Sequence, residues 1–294
     1  MEQRRSDKYK KSKIKIILYI LLGIILFAGL VIVWSRFIST RGLDVKEIKI
    51  VNEKLPSSFY GFKIVHFSDV HYGKTIDKNS FNKIVEKINL IKPDLVVFTG
   101  DLIDKDTEIN DKLIEDLTTL LSKIESTHGK YAIKGNHDYT SDSFIEIIQN
   151  SDFTLLENNY DLVYNDINEY IYIGGLSSSI KTEIDYEKTL DYFKQENVNK
   201  DIFSIMLLHE PDNIDNLLNL QKMDLALAGH SHGGQVRIPF IGAITKVKGA
   251  LKYSEEYYKI NDTKLFVSYG LGTSTYPFRF MDKPSINFYR LYNK

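Results

Sequence analysis

No cysteine occurs among the 294 residues. Disulfides, thiolate nucleophiles and sulfur-ligated metal sites are thereby excluded, and the chain is indifferent to an oxidising compartment. A strong overall charge is missing too: 38 Lys/Arg stand against 39 Asp/Glu, a net charge of -1. That balance hides an asymmetry. Residues 1–41 carry nine Lys/Arg and two Asp/Glu, a net of +7, which leaves -8 for the rest. So acidic a body is a poor match for a nucleic-acid partner, which needs basic surface. No repeat or low-complexity linker is visible. With 43% hydrophobic and 26% charged residues, the bulk of the chain reads as globular.

One long hydrophobic run stands at the N-terminus. Ile16 to Trp34 is 19 residues without a charge, the length of a helix that spans a hydrocarbon core. Trp34 closes it with an interfacial aromatic. Seven Lys/Arg precede it and Arg36 and Arg41 follow. No Ala-x-Ala cleavage site follows the run, so an uncleaved anchor is preferred to a signal peptide. The organisation expected is a basic cytoplasmic tail (1–15), a transmembrane anchor (16–36) and a single domain (42–294). The positive flank places the N-terminus in the cytoplasm and the domain outside the cell membrane.

Past the anchor, strand-like and helix-like patterns alternate, which predicts an α/β domain. Asp44–Val51 alternates like a strand, either in the core sheet or as a stalk. Residues 62–67, 95–98, 131–133, 170–174, 205–208 and 225–228 read as further strands. Apolar stripes at Phe81, Ile84, Val85, Ile88 and at Leu113, Leu117, Leu120, Leu121, Ile124 read as core-facing helices, and Phe144, Ile147 and Ile148 as a short one. Residues 184–198 read as helical, and the segment after 235 as strands and loops.

Polar residues follow five of these strands directly. Five of the seven histidines (His71, His137, His209, His230, His232) do so, with Asp69, Asp101, Asp104 and Asn136. Ends of parallel strands converge on one edge of a sheet. So many polar groups in one place are costly to desolvate unless cations compensate. Imidazole and oxygen donors without sulfur suit Mn, Fe, Zn or Co, and the donors are too many for one ion. His66, inside its strand, reads as a packed histidine.

In order, Asp69-x-His71, Gly100-Asp101-x-x-Asp104, Gly135-Asn136-His137-Asp138, His209 and Gly229-His230-Ser231-His232 resemble the calcineurin-like metallophosphoesterase superfamily. The resemblance covers residues 60–235. Gly270-Leu271-Gly272-Thr273-Ser274, Pro277-Phe278-Arg279-Phe280 and the apolar N-terminus are similar to a bacterial membrane-associated subgroup. The resemblance implies a four-layer α/β/β/α sandwich of two mixed sheets and two divalent metal ions. It places Asp69, His71 and His232 on one ion, Asn136, His209 and His230 on the other, and Asp101 between them. His137 is implied as proton donor to the leaving group, with Asp104 orienting its ring; Asp138 reads as a support for the turn. The reaction implied is attack on phosphorus by a metal-activated hydroxide.

Phosphoprotein phosphatases of this superfamily carry Arg after the second Asp, where this chain has Lys105; this counts against a protein-phosphatase activity. Arg279 is the candidate contact to a substrate phosphate, against the plainer reading of a packing arginine. The function expected is a membrane-anchored phosphodiesterase or pyrophosphatase acting on lipid-linked or cell-envelope substrates. The alternatives are a phosphomonoesterase and a catalytically silent metal-binding envelope protein.

Overall fold

The computed structural model describes residues 2–166 and 168–294, with side chains from residue 12 onward. The side chains of Arg4, Arg5, Lys8, Lys10 and Lys11, part of the expected basic tail, lie outside the described residues. Helix α1 (Glu2–Phe37) contains a segment, Ser12–Phe37, long and apolar enough to cross a membrane. Among the described residues, the apolar side chains of this segment ahead of Trp34 are almost all exposed. Its last turn is different. Ser35, Ser39 and Thr40 are buried, the Thr40 hydroxyl donates to the Arg36 carbonyl at 2.7 Å, and the Trp34 ring stands edge-on to Phe280 at 5.9 Å.

The remaining chain runs β1 (Asp44–Val51), β2 (Lys63–Phe67), α2 (Lys78–Ile91), β3 (Leu95–Phe98), α3 (Asp111–Ser122), β4 (Lys130–Ala132), α4 (Ser143–Asn150), β5 (Phe153–Leu155), β6 (Asn159–Asp166), β7 (Glu169–Gly175), α5 (Tyr186–Thr189), α6 (Asp191–Lys194), β8 (Ser204–Leu208), α7 (Ile214–Leu220), β9 (Leu225–Ala228), β10 (Arg237–Ile238), β11 (Gly242–Ala243), β12 (Tyr257–Ile260), β13 (Thr263–Val267) and β14 (Ser285–Tyr292). Two six-stranded sheets result, in the orders β1-β14-β2-β3-β4-β5 and β12-β13-β9-β8-β7-β6. Both are mixed. β2 to β5 are mutually parallel while β14 is antiparallel to β2; β7, β8, β9 and β13 are parallel while β6 and β12 are antiparallel edges. β1 pairs with β14 in parallel over its whole length, so Asp44–Val51 is sheet and not stalk.

The period-2 geometry of strands divides each apolar run between two cores. From β3, Leu95 and Val97 face the second sheet, while Val96 and Phe98 face α2, α3 and α4. From β8, Ile205 and Leu207 enter the inter-sheet core, while Met206 and Leu208 face α7. Three cores thus separate four layers, α/β/β/α. Helix ends are set locally: Asp77 and Asn110 cap α2 and α3 by accepting from Ser80 N and Leu113 N at 2.8 and 3.0 Å.

Candidate metal centre

The five polar strand ends come from both sheets, not from one. Those after β2, β3 and β4 end the first sheet, those after β8 and β9 the second, and their donor atoms come together. Asp69, His71, Asp101, His209, His230 and His232 are buried, and His137 is half-buried. The backbone turns sharply at five of these residues. Asp69, His71, Asp101, His230 and His232 all have left-handed φ, between 42° and 66°. Each such residue carries strain that the surrounding hydrogen bonds must hold.

Two nests of donors share Asp101. In one, His71 Nε2 lies 3.1 Å from His232 Nε2, and Asp69 Oδ1 is 3.5 Å from His232 Nε2. In the other, His209 Nε2 lies 3.2 Å from Asn136 Oδ1, with His230 close by. Asp101 Oδ2 stands between the nests, 3.5 Å from His71 Nε2 and 3.4 Å from His209 Nε2. Donors about 2.1 Å from one ion, at angles of 90–110°, sit about 3.0–3.4 Å from each other. The separations fit that requirement. The inward-facing atoms of the first nest are the Nε2 atoms of His71 and His232.

Surrounding groups select which ring nitrogen faces inward. His209 Nδ1 donates to the Thr99 carbonyl at 2.7 Å, which leaves Nε2 as the donor atom toward a metal. His230 Nε2 donates to the Lys248 carbonyl at 2.8 Å, which leaves Nδ1. The His230 backbone N–H donates to Asp69. Asp138 is buried and accepts from the backbone N–H of Asp101, Leu102 and Gly135 at 2.7–2.9 Å, closing the loops after β3 and β4 on each other. Only glycine fits at 135: a Cβ would stand 2.2 Å from Asp101 Oδ1 and 2.6 Å from His209 Cε1.

The charges are strongly coupled. Burial works against ionised Asp101, yet the imidazoles of His209, His71 and His137 hold it well below the usual carboxylate range. Burial also opposes protonated His209, yet Asp101 draws its pKa well above normal. His232 moves the other way, lowered by burial and by His71. Burial and the Asp101 carboxylate push Asp138 up to about 7. Carboxylates and imidazoles buried together in this way are what bound cations would compensate.

The calcineurin-like phosphoesterase profile matches residues 62–234, the segment that carries all these donors. The chain belongs to that family. It is 34% identical over 266 residues to the metallophosphoesterase YkuE of Bacillus subtilis, covering 88% of each chain. A Campylobacter jejuni metallophosphoesterase is 32% identical over 79% of this chain and 59% of its own. A zebrafish (Danio rerio) transmembrane protein with a metallophosphoesterase domain is 29% identical over 65% of this chain and 45% of its own. Metal dependence is the property the family and the donor cluster share.

Two of the expected roles need correction. Asp104 does not orient His137. Its Oδ2 lies 3.4 Å from His71 Nδ1 and 3.4 Å from Lys74 Nζ, so it backs a metal-ligand candidate instead. The loop after β3 turns back across Tyr72, whose carbonyl accepts from Asp104 N at 3.1 Å, and this carries the carboxylate to the far side of His71. Arg279 does not face a substrate. It is fully buried, and its guanidinium donates to the carbonyls of Tyr269, Gly270 and Gly272 and to Asp282. The reading of His66 as packed holds: it is buried, its Nε2 is 2.8 Å from Thr99 Oγ1, and burial lowers its pKa to about 3. Glu210 stands outside the motifs of the sequence. Buried beside His209, it bonds Ser178 Oγ and accepts from Ser179 N at 3.0 Å. Its position between a strand-end histidine and Pro211 is the only sequence signal it leaves.

Proposed function

We propose that the chain is a membrane-anchored dimetal phosphoesterase that cleaves phosphodiester or pyrophosphate bonds of a membrane-borne substrate outside the cytoplasm. The observation that carries this reading is the Asp101 carboxylate, within 3.5 Å of imidazoles from two separate donor nests. Asp69, His71 and His232 would hold one ion, and Asn136, His209 and His230 the second. Bound there, divalent ions lower the pKa of water and offset phosphate charge. The chain's own residues supply the rest. Thr99 and Lys248 carbonyls fix the His209 and His230 tautomers. His137 is held by its backbone N–H, which donates to Asp101 Oδ1 at 2.8 Å. Its ring Nε2 stays 3.9 Å from Asp101 Oδ2 and is partly exposed, free to give a proton to a leaving oxygen. Helix α1 supports the anchor, and the basic N-terminal flank supports an extracytoplasmic domain.

The test is metal content and turnover of the full chain in detergent, stripped and reloaded with Mn, Fe, Zn or Co. A phosphodiester, a phosphomonoester and a lipid diphosphate are compared. The wild type is expected to bind two equivalents and turn over the diester or diphosphate fastest. Asp101→Asn should lose both metal and turnover. His137→Ala should keep its metal and lose about 10²–10⁴ in rate. A wild type that binds no metal, or an Asp101→Asn variant as active as wild type, would overturn the reading. Orientation has its own assay: a single cysteine placed at exposed Leu220 of this cysteine-free chain should react with an impermeant maleimide on intact cells.

A further inference from the structure

Several exposed apolar side chains outside α1 gather on a hairpin that the metal centre does not use. β10 and β11 pair antiparallel, Arg237 with Ala243 and Ile238 with Gly242. Between and beside them, Phe240 is fully exposed and Ile241, Ile244 and Met281 are each more than half exposed. A β-turn in water has no reason to present Pro-Phe-Ile at its tip.

The hairpin's neighbours say what covers it. Arg237 N donates to the Phe280 carbonyl at 2.9 Å, and Phe280 N donates to the Gln235 carbonyl at 2.8 Å. The Phe280 ring packs edge-on against Trp34, and Arg279 N donates to the Ser35 carbonyl at 3.1 Å. The root of the hairpin is therefore tied to the last turn of α1. The apolar run ending at Trp34 spans roughly 28 Å as a helix, about one hydrocarbon thickness. Trp34 and Phe280 then lie at the boundary between hydrocarbon and headgroups. Charge complements that placement. Close to the same helix end, Arg36, Arg41, Lys83 and Lys87 line a cavity of about 690 Å³, together with Asp77, Glu86 and Lys74, which is paired with Asp104 and Asp106. The domain around it is acidic. Cationic side chains at headgroup depth favour an anionic leaflet. The hairpin also leads back to the metal centre: Thr245 Oγ1 donates to the Gly234 carbonyl at 3.1 Å, in the turn that carries His232.

We propose that the β10–β11 hairpin inserts its Phe240–Ile241 tip into the bilayer as a second membrane contact beside α1, holding the metal centre against the lipid surface. The inference rests on the reading of α1 as an anchor. It deepens the substrate class to phosphoesters borne on lipid, whose scissile bond lies at headgroup depth.

The experiment uses the full chain in vesicles of mixed zwitterionic and anionic phospholipid, some brominated along the acyl chains. Trp34 is the one natural tryptophan. Wild-type emission tests the anchor. Phe240→Trp in a Trp34→Phe background tests the hairpin, and Leu220→Trp in the same background is the exposed control on α7. Expected is quenching by brominated chains of Trp34 and of the Phe240→Trp protein, with Leu220→Trp quenched only by aqueous iodide. Quenching of Trp34 with none in Phe240→Trp overturns the inference and leaves the anchor standing. Unquenched Trp34 overturns both, and equal quenching of Leu220→Trp shows indiscriminate adsorption and overturns the hairpin's role. In an activity arm, Phe240→Asp/Ile241→Asp should slow cleavage of a vesicle-borne lipid diphosphate by about tenfold or more, as expected for lost interfacial insertion. Cleavage of a water-soluble phosphodiester should be unchanged. An equal loss on both substrates would refute the membrane role.

Discussion

Replacing Arg279 by Leu separates a structural arginine from a phosphate-binding one. The guanidinium satisfies the carbonyls of Tyr269, Gly270 and Gly272 at 2.6–3.1 Å and pairs with buried Asp282 at 3.1 Å. Those carbonyls belong to the loop that clamps the back of Asp69: Gly272 N donates to the Asp69 carbonyl at 2.7 Å, and a Cβ on Gly270 would stand 2.7 Å from Asp69 Cβ. Burial has already driven the Asp282 pKa up to about 6 despite Arg279 beside it. Leucine would leave the carboxylate and the carbonyls unpaired in the interior. Breaking a buried pair by removing one partner costs about 3–5 kcal/mol. For a domain of this size that lowers Tm by about 6–20 °C. Arg279→Lys restores the charge without the fork and should recover only part of this. Arg279→Leu with Asp282→Leu removes both charges and should recover more. The assay is thermal or urea unfolding of the full chain in detergent, alongside KM for a phosphodiester at a temperature where every variant is folded. A substrate-binding arginine gives the opposite pattern, an unchanged Tm with KM raised about tenfold or more. That pattern would refute the reasoning.

Three other perturbations test neighbouring links. Asp104→Asn should weaken metal affinity by about 10–100-fold, because it alters the partner of His71 and not of His137; unaltered affinity with a changed pH–rate profile would return Asp104 to the proton donor. Gly135→Ala should cut bound metal and turnover by about a hundredfold or more, since its methyl group must displace Asp101 Oδ1 or His209; full activity would show that the loop can yield. His66, neutral in the fold with a pKa of about 3, binds a proton only on unfolding below its ordinary 6.5, so stability falls as pH drops through that window. At pH 5 the loss is about 2 kcal/mol relative to pH 7. His66→Gln should flatten that part of the pH dependence in urea titrations, and an identical slope in both proteins would contradict it.

How far the sequence could be read follows from burial. Leu95–Phe98 and Leu225–Ala228 are buried on both faces, so they stand out as continuous apolar runs with matching boundaries. The strand β6 does not, because it is an edge with Val163 as its one buried side chain, and α7 buries only Ile214 and Leu217. The donors were legible because each follows a strand directly. Their division between two sheets was not legible, since strand ends carry no mark of which sheet they belong to. Arg279 misled because a guanidinium is rarely buried, and nothing local announces that backbone carbonyls ten residues away will solvate it. The partner of His71 was illegible for the same reason, being set by the path of the loop after β3.

The left-handed residues connect these observations. Asp and His accept positive φ more readily than most side chains but less freely than glycine, so each such turn at Asp69, His71, Asp101, His230 and His232 costs up to about 1–2 kcal/mol. A chain selected for stability alone would place glycine there. Glycine has no side chain to offer a metal, so on the proposed reading the strain follows from needing a donor and a sharp turn in one residue. The restraints lie where that strain requires them. Asp138 ties Asp101 and Gly135, the Asp69 carboxylate accepts from His230 N, and Arg279 stiffens the loop behind Asp69. The buried polar groups of this site therefore divide into those that face the metal nests and those that keep their backbones from relaxing. Removing a member of the first group should lower metal content with the fold retained, and removing a member of the second should lower both together.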